Sequence, residues 1–426
     1  MKIYSKEYIE NPSEHALNAC FLGRSPLTSE STSDILRNIA DREYQREELV
    51  RILVNYNVSI GNDARAQTQA LSLLKKDAFC VVTGHQLGFM GGPALLIYKA
   101  LSTLKLAEEK GLVPVFWLAT EDHDISEIDH ANVIDEKGNL KSYKLHFPYK
   151  KFVEDLKLDS EHLKTLNAFI NELSVPIEID VANRDSYAFT MAKYLAALFK
   201  GTGLVFIEPR FLREMSRPIF QKEVLHREEI KQVLKQTTDA LTAEGGEAVL
   251  SFPHATNLFY KDADGNRVPL EIREEKELID HIESHPEKFS ANAALRTIVQ
   301  SYCLPTAVYF AGPTELAYYR QLKDYHFFHG LSMPWVLPRM HATVVNHQAA
   351  AYLEQHHLDP WDFDKIFQLE GFEGHYLRNF LYPKKKPQER VLNVWSLFPS
   401  CDSVIIQTLL HHLKKHEQGH LYIWNT

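Results

Sequence analysis

Two short segments of the sequence carry residue types that can do chemistry, and they lie close together along the chain. Segment 83–92, TGHQLGFMGG, combines glycines with polar side chains, with its candidate ligand contacts at Thr83, Gly84, His85, Gln86 and Gly88. Segment 121–130, EDHDISEIDH, supplies carboxylates and imidazoles, foremost at Asp122, His123 and Asp124. Backbone N–H groups at a helix start bind anions, whereas carboxylates and imidazoles hold an ammonium group, transfer a proton or coordinate a metal.

The glycine segment has two interpretations. Its spacing, Gly-x3-Gly-x2-Gly-Gly, differs from the GxGxxG of dinucleotide-binding loops, and it lacks the GK[ST] of a P-loop. A tight turn with positive φ angles would explain the glycines without any ligand. The polar side chains at the same position favour a ligand site.

The acidic segment has three interpretations. Asp122, His123, Asp124 and His130 could bind a metal, could form a polar site without metal, or could be the solvated first turn of a helix. Their spacing differs from that of zinc motifs such as HExxH. We therefore expect a polar site without a metal ligand set, and the alternative is a metal-dependent hydrolase that uses this cluster.

Two further segments add candidate contacts. Asn292, Arg296 and Gln300 are polar residues in an otherwise largely apolar stretch, and Glu315 follows a Gly-Pro turn. Arginine suits bidentate binding of carboxylate or phosphate, although a surface arginine and a helix-capping glutamate are equally available interpretations. The basic run 384–390, KKKPQER, offers Lys384 and Lys385 as phosphate contacts or simply forms a solvated loop.

The elements that must position these residues follow from the pattern around them. Cys80 to Val82 is a short apolar strand, Ile97, Leu101 and Leu104 repeat with helical spacing, and a second apolar strand runs from Val113 to Ala119. This is a βαβ unit, so the two strands should be parallel neighbours. Because such sheets bind ligands beyond the carboxyl ends of their strands, both segments should share one edge.

The rest of the chain predicts an α/β protein with a Rossmann-like parallel sheet and helical and β-hairpin insertions. Further core strands are expected at 203–207 and 333–337, β-like sequence at 298–310, and a long helix from Pro218 to Ala243. Hairpin turns are expected at 135–139 and 262–266. The predicted organisation begins with an N-terminal helical segment (1–75) and ends with a short helical arm (341–386) and a C-terminal segment (387–426). The core is expected at 76–130, 201–245 and 298–340, with insertions at 131–200 and 246–297.

Composition narrows the classes of function. The chain has 426 residues with a formal net charge of -9, which does not favour a general nucleic-acid-binding surface. It has no apolar run long enough to span a bilayer, and the N-terminus lacks the apolar stretch of a signal peptide. The four cysteines are scattered, as in proteins of a reducing cytoplasm. We therefore expect a cytoplasmic protein.

Several blocks of the sequence resemble one family. VVTGHQLGFMGGPALLIYKALSTLKLAEE and PVFWLATEDHDISEIDH closely resemble the cysteine-adding enzymes of bacillithiol synthesis, the BshC family. The likeness continues in order through HPEKFSANAALRTIVQ, LPTAVYFAGPTELAYYRQL, MPWVLPR and PQERVLN, from about Ala78 to Asn393.

The resemblance implies a Rossmann-like core with connecting-peptide insertions and a ligase that adds cysteine to glucosaminyl-malate. The nucleotide would be ATP or ADP, and Mg²⁺ would bind only together with it. Asp122, His123 and Asp124 would then hold the cysteine ammonium or accept its proton. Asn292 and Arg296 would bind the malyl carboxylate or a phosphate. Family members carry a long coiled-coil arm between the LPR and QER segments, but here Arg339 and Gln388 are too close for one. Because the family's homodimer is associated with that arm, dimerisation is left open for this chain.

Overall fold

The structure is a computed structural model that describes residues 2–6, 32–134, 137, 139–173, 177–272, 274–340, 342–360, 362–381 and 420–425. The strands are β1 (Lys2–Lys6), β2 (Cys80–His85), β3 (Val113–Leu118), β4 (His130–Ile134), β5 (Leu140–Lys144), β6 (Val205–Ile207), β7 (Leu258–Lys261), β8 (Arg267–Pro269), β9 (Phe289–Ala291), β10 (Thr306–Ala311), β11 (Trp335–Pro338), β12 (Ala342–Asn346) and β13 (His420–Asn425). The α-helices are α1 (Thr32–Asp41), α2 (Arg46–Ser59), α3 (Ala64–Ser72), α4 (Ala94–Lys110), α5 (Ser160–Leu173), α6 (Tyr187–Leu198), α7 (Arg213–Leu225), α8 (Arg227–Ala243), α9 (Glu275–Ser284), α10 (Ala293–Cys303), α11 (Pro313–Tyr319), α12 (Lys323–Phe328), α13 (His347–Gln355), α14 (Phe363–Gln368) and α15 (Gly371–Leu381).

The centre of the fold is a five-stranded parallel sheet in the order β11-β10-β2-β3-β6. Numbered by their place in the chain, these strands run 3-2-1-4-5 from the β6 edge, which is the Rossmann order. The direction of winding reverses between β2 and β10. The predicted Rossmann-like α/β core and the parallel pairing of β2 with β3 are therefore confirmed.

Both faces of this sheet are covered by helices, which explains why β3 is apolar along its whole length and fully buried. Its residues alternate between the two sides. Phe116 and Leu118 pack in a cluster with α4 and α6. Val115 and Trp117 pack in a second cluster with α2, α3, α7 and α10.

Two insertions interrupt the core, and both carry the predicted hairpins. Strands β4 and β5, which lie between β3 and β6 along the chain, pair antiparallel. Strands β7 and β8, which lie between β6 and β10 along the chain, also pair antiparallel, and β9 pairs with the other edge of β7. A third small sheet has the order β1-β13-β12. Helices α13 to α15 occupy the region of the expected shortened arm and pack around Leu353, Ile366 and Leu377. Among the described residues, no helix has the length and apolar character needed to cross a membrane.

Two sequence-based predictions of elements were wrong in detail. The β-like stretch 298–310 begins as helix α10, because the Asn292 side chain caps it by accepting from the N–H groups of Ala294 and Leu295, both at 2.9 Å. Tight N-capping outweighs the strand preference of Ile298 and its neighbours.

The expected long helix is two helices, α7 and α8, that meet at His226. Helix α7 begins at Arg213, so Pro218 lies inside it rather than at its start. A proline there has no N–H for the carbonyl oxygen of Glu214. The Arg217 side chain supplies a donor to that oxygen at 3.3 Å, which allows the helix to continue.

Tyr187 gives a test of how the first insertion is attached to the core. Its buried hydroxyl donates to the carbonyl oxygens of Leu87, at 2.9 Å, and Ile128, at 2.8 Å. Tyr187→Phe should lower the free energy of unfolding by about 1–3 kcal/mol, because buried carbonyls lose their donor. Urea denaturation measures this.

Tyr194, on the same helix, is the matched control. Its hydroxyl is also buried but has no hydrogen-bond partner among the described residues. Tyr194→Phe should not lower the free energy of unfolding, because it removes a buried hydroxyl that makes no hydrogen bond to the described residues. Equal losses for both variants would contradict the role given to the Tyr187 hydroxyl.

Candidate active site

A cavity of about 620 Å³ lies where the sheet reverses its winding, between the residues that follow β2 and those that follow β10. Gly84, His85 and Gln86 form one side, and segment 312–315 forms the opposite side. Residues after β3, including Asp122, form a third wall. Its size and its position at the switch point are those of a small-molecule site in a doubly wound sheet.

The glycine segment closes tightly before helix α4. A Cβ atom on Gly88 would lie 2.7 Å from the Cα of Gly92. Gly92 itself has φ 66° and ψ -153°, a conformation that side-chain-bearing residues rarely adopt. These two glycines are thus explained by backbone packing, and this packing brings Gly92 and Pro93 to the cavity wall.

One side of the cavity is suited to anions. It is lined by the first residues of α4, α10 and α11, whose N-terminal N–H groups carry partial positive charge. Arg296 and Arg339 also line it. Arg296 donates to the Tyr318 hydroxyl at 3.2 Å and, as an arginine, stays charged in proteins.

A buried ion pair joins the two sides of this anion region. The Lys99 ammonium on α4 pairs with the Glu315 carboxylate on α11 and also donates to the carbonyl oxygen of Gly84 at 2.6 Å. Glu315 accepts from the Tyr309 hydroxyl and from the Gly312 N–H, both at 2.7 Å. Burial would raise the pKa of Glu315, but the Lys99 charge and these hydrogen bonds hold it below its usual value.

His85 is neutral in this setting. Burial, followed by the nearby Lys99 charge, lowers the pKa of His85 to about 4. Its Nδ1 lies 2.9 Å from the carbonyl oxygen of Gln86, which assigns the proton to Nδ1. The Nε2 atom is then left as a hydrogen-bond acceptor at the cavity.

The acidic wall opposes the anion region. Glu121, Asp122 and Glu127 line it together with His130. Burial would raise the pKa of Asp122, but the hydrogen bond with His123 and the Arg267 charge hold it well below its usual range. By contrast, burial and the charge of Asp124 raise the pKa of Glu127 to about 7.

Arg267 holds this wall in place from the second insertion. Its Nη1 lies 2.8 Å from Nδ1 of His123 and 3.5 Å from the Asp122 carboxylate. Its other nitrogens donate to Ser290 Oγ at 3.1 Å and to the carbonyl oxygen of Ala291 at 2.7 Å. The guanidinium carbon lies 3.9 Å from the Phe259 ring centroid, within cation–π distance.

The structure brings together half of the predicted site residues. The cavity is lined by Gly84, His85, Gln86, Asp122, Asn292, Arg296 and Glu315. The Asn292 amide is occupied in capping α10 and in donating to Asn257 Oδ1 at 2.8 Å, so it orients the start of that helix.

Five other predicted residues in the described part of the chain lie outside the cavity lining. Thr83 donates to the carbonyl oxygen of Phe310 at 2.8 Å, and Gly88 packs on Gly92. His123 contacts Arg267, while Asp124 is exposed and caps a short 3-10 turn. Gln300 is buried in α10. Lys384 and Lys385 lie outside the described residues.

The metal interpretation finds no support in the geometry. Within the part of the chain that the structure describes, no group of three or more His, Cys, Asp or Glu side chains is arranged to hold a metal ion. The Asp122 and His123 side chains contact an arginine, and His130 pairs with Asp129 at 2.9 Å.

Five charged cavity residues were missed by sequence reasoning: Lys99, Glu121, Glu127, Arg267 and Arg339. Lys99 had a usable signal, since it is a charge within an apolar helical run, and such residues are buried only when paired. Arg339 directly follows a core strand, at the sheet edge where ligands bind. Arg267 carried no comparable signal, because its partners lie far away in the sequence.

Comparison with known proteins gives a consistent match. Residues 3–340 match the family described as "Bacillithiol biosynthesis BshC, N-terminal Rossmann-like domain". A Bacillus cereus protein named "Putative cysteine ligase BshC" is 28% identical over 378 residues, which covers 80% of this chain and 70% of the relative. Proteins of the same name from Bacillus mycoides and Salinibacter ruber are 27% identical over 387 residues and 29% identical over 361 residues. The first alignment covers 83% of this chain and 71% of the relative, and the second 76% and 65%.

The Lys99–Glu315 pair can be tested by a double-mutant cycle. Lys99→Met and Glu315→Gln should each lower the free energy of unfolding by about 3–5 kcal/mol, because each leaves the partner buried without its counter-ion. The double variant should be more stable than the sum of the two losses predicts, by at least about 1 kcal/mol.

An exposed pair provides the control for this cycle. Lys235 and Asp239 are paired on the surface of α8, with side chains 74% and 62% exposed. Lys235→Met should have little effect on unfolding, because such pairs are screened by solvent. Strict additivity of the Lys99 and Glu315 losses would show that the buried pair does not act as a unit.

Proposed function

The chain belongs to the BshC family of bacillithiol biosynthesis, and on that premise we propose that it is a cysteine ligase. It adds cysteine to glucosaminyl-malate by formation of an amide bond, which yields bacillithiol. The name of the relatives supports the ligase activity, and the description of the family supports the pathway.

One observation of the structure carries the substrate assignment. A single cavity is lined by the start of helix α4 with Arg296 and Arg339, and by the acidic residues Glu121 and Asp122. The acid substrate binds in the first region and the cysteine ammonium binds against the second. This arrangement holds the two reacting groups side by side, which is the main requirement of a condensation.

The carboxylate needs activation, because an amide does not form readily from a free carboxylate at neutral pH. ATP, bound together with Mg²⁺, would supply that activation. Phosphate groups suit the same helix start and Arg296 that suit a carboxylate. The start of α4 is our candidate for the phosphates, and the neutral His85 supplies a hydrogen-bond acceptor beside it.

The remaining proposals concern the setting of the reaction. We propose that it takes place in the cytoplasm with small-molecule partners and without nucleic acid. Whether two copies of the chain associate stays an open prediction, as does a role for Lys384 and Lys385 in closing over phosphate.

A product assay tests the proposed reaction directly. The protein incubated with glucosaminyl-malate, cysteine and ATP should form a new thiol whose mass equals the two substrates less one water. Mass spectrometry detects the thiol, and chromatography of the nucleotides shows whether AMP or ADP is released. Binding of substrates without product would favour a non-catalytic nucleotide-binding relative, and hydrolysis of glucosaminyl-malate that requires added Zn²⁺ or Mn²⁺ would favour the hydrolase.

Arg296→Ala tests the anion region. Loss of a charge-assisted contact should weaken binding of malate at least about 10-fold in calorimetry, with a thermal melt showing that the fold is intact. Arg37→Ala replaces a solvent-exposed surface arginine and should leave the affinity for malate unchanged. Wild-type affinity in a folded Arg296→Ala variant would remove this residue from the site.

A further inference from the structure

The hydroxyl of Tyr318 is a hydrogen-bond donor at the cavity wall that no hydrogen bond among the described residues uses. Tyr318 lies on α11, lines the cavity and is 5% exposed. Its oxygen lies 3.2 Å from a guanidinium nitrogen of Arg296. Because a guanidinium carries donors only, the phenol oxygen is the acceptor in this contact. The phenol proton is therefore left for another acceptor.

The surroundings of Tyr318 supply no such acceptor from the part of the chain that the structure describes. Burial and the nearby Glu315 charge raise the pKa of the Tyr318 hydroxyl to about 12, so this group keeps its proton at neutral pH. The Glu315 carboxylate already accepts from the Tyr309 hydroxyl and the Gly312 N–H, both at 2.7 Å. It also pairs with the Lys99 ammonium. An acceptor on a bound molecule would complete the hydrogen bonding of the Tyr318 hydroxyl.

The pair of Tyr318 and Arg296 defines the chemistry of that bound group. Both side chains line the cavity and both offer donors, so together they favour a group that only accepts hydrogen bonds. Two donors this close together suit the oxygens of one carboxylate or one phosphate, and such charge-assisted hydrogen bonds are the strong ones. Tyr318 lies on α11, across the cavity from the loop that leads into α4, our candidate for the phosphates. That position favours the carboxylate.

We propose that Tyr318 is a binding residue for the acid substrate, which donates its phenol O–H to a carboxylate oxygen while Arg296 holds the same carboxylate. This inference rests on the proposed function, which places the acid substrate beside Arg296. The carboxylate makes this contact in the bound substrate and keeps it during the reaction. The hydroxyl therefore contributes to affinity and to the preference for an ionised acid, rather than to the rate of the chemical step.

Tyr318→Phe is the variant to test, because it removes the hydroxyl and keeps the ring. That ring stacks on the ring of Tyr319, with 5.5 Å between the centroids. Tyr319→Phe is the matched control, since it removes a hydroxyl from the adjacent, equally buried tyrosine, which does not line the cavity. Thermal melts first establish that each variant is folded.

The first measurement is calorimetry with malate and, separately, with ATP and Mg²⁺. Tyr318→Phe should bind malate about 10- to 100-fold more weakly, because a hydrogen bond to a charged group is lost. Its affinity for ATP should change by less than about 3-fold, and Tyr319→Phe should bind malate as the wild type does. Unchanged malate affinity in Tyr318→Phe, or a loss confined to ATP, would overturn the proposal. A wild type that binds no malate refutes the placement of the acid substrate itself, which is a different result.

The second measurement separates direct donation by Tyr318 from an effect exerted through Arg296. Malate affinity is compared between Arg296→Ala and the double variant Arg296→Ala/Tyr318→Phe. If the phenol contacts the carboxylate itself, the double variant should bind malate at least about 5-fold more weakly than Arg296→Ala. Equal affinities would show that the hydroxyl only positions Arg296, and the direct contact would then be wrong.

The third measurement is steady-state turnover with glucosaminyl-malate as the varied substrate. Tyr318→Phe should raise KM by at least about 10-fold and change kcat by less than about 3-fold, as expected when a contact present throughout the reaction is lost. A lower kcat with an unchanged KM would place the hydroxyl in the chemical step and contradict its assignment to substrate binding.

Discussion

The buried pair of Lys99 and Glu315 is the contact on which the geometry of the site depends. Helices that follow β2 and β10 leave the sheet on opposite faces, so the crevice between them has no backbone bridge. Lys99 closes it from one side and reaches the carbonyl oxygen of Gly84, while Glu315 closes it from the other and fixes the Gly312 N–H. Burying two charges is costly, and here hydrogen bonds from Tyr309 and Gly312 offset part of that cost. The loop after β2 and the start of α11 consequently face one shared cavity.

Sequence reasoning succeeded where a rule links local pattern to position. Alternating strand and helix patterns predicted the βαβ unit, and the rule on strand ends placed Gly84 and Asp122 at one cavity. It failed where a residue's role depends on a distant partner. Arg267 meets His123 across 144 positions, and nothing local to either residue indicates that contact. It also failed at Ile298, where the capping side chain of Asn292 overrode the preference of β-branched residues for strands.

The acidic wall illustrates how two neighbouring residues of similar chemistry acquire different properties. Asp122 meets an arginine and a histidine, whereas Glu121 lies against the backbone of Ala291 with one oxygen unpartnered by the described residues. The difference comes from direction, because successive side chains past a strand point to different sides. The motif EDHD is therefore better understood as separate positions than as a cluster, in keeping with the finding that the described residues contain no group of three or more His, Cys, Asp or Glu side chains arranged to hold a metal ion.

Arg267 belongs to a hairpin that is inserted in the chain, yet it completes a wall built from the core. Polar contacts hold this hairpin in place, among them the Arg267 contact with His123 after β3 and the Arg267 N–H bond to the carbonyl oxygen of Lys150, in the first insertion, at 2.7 Å. A molecule with this hairpin undocked would keep its folded sheet while its acidic wall lost its counter-charge. The apparent affinity for an amine ligand is then the intrinsic affinity scaled by the docked fraction. The fraction of molecules with the hairpin docked, rather than the fraction of folded molecules, then determines how much of the protein can bind the amine ligand.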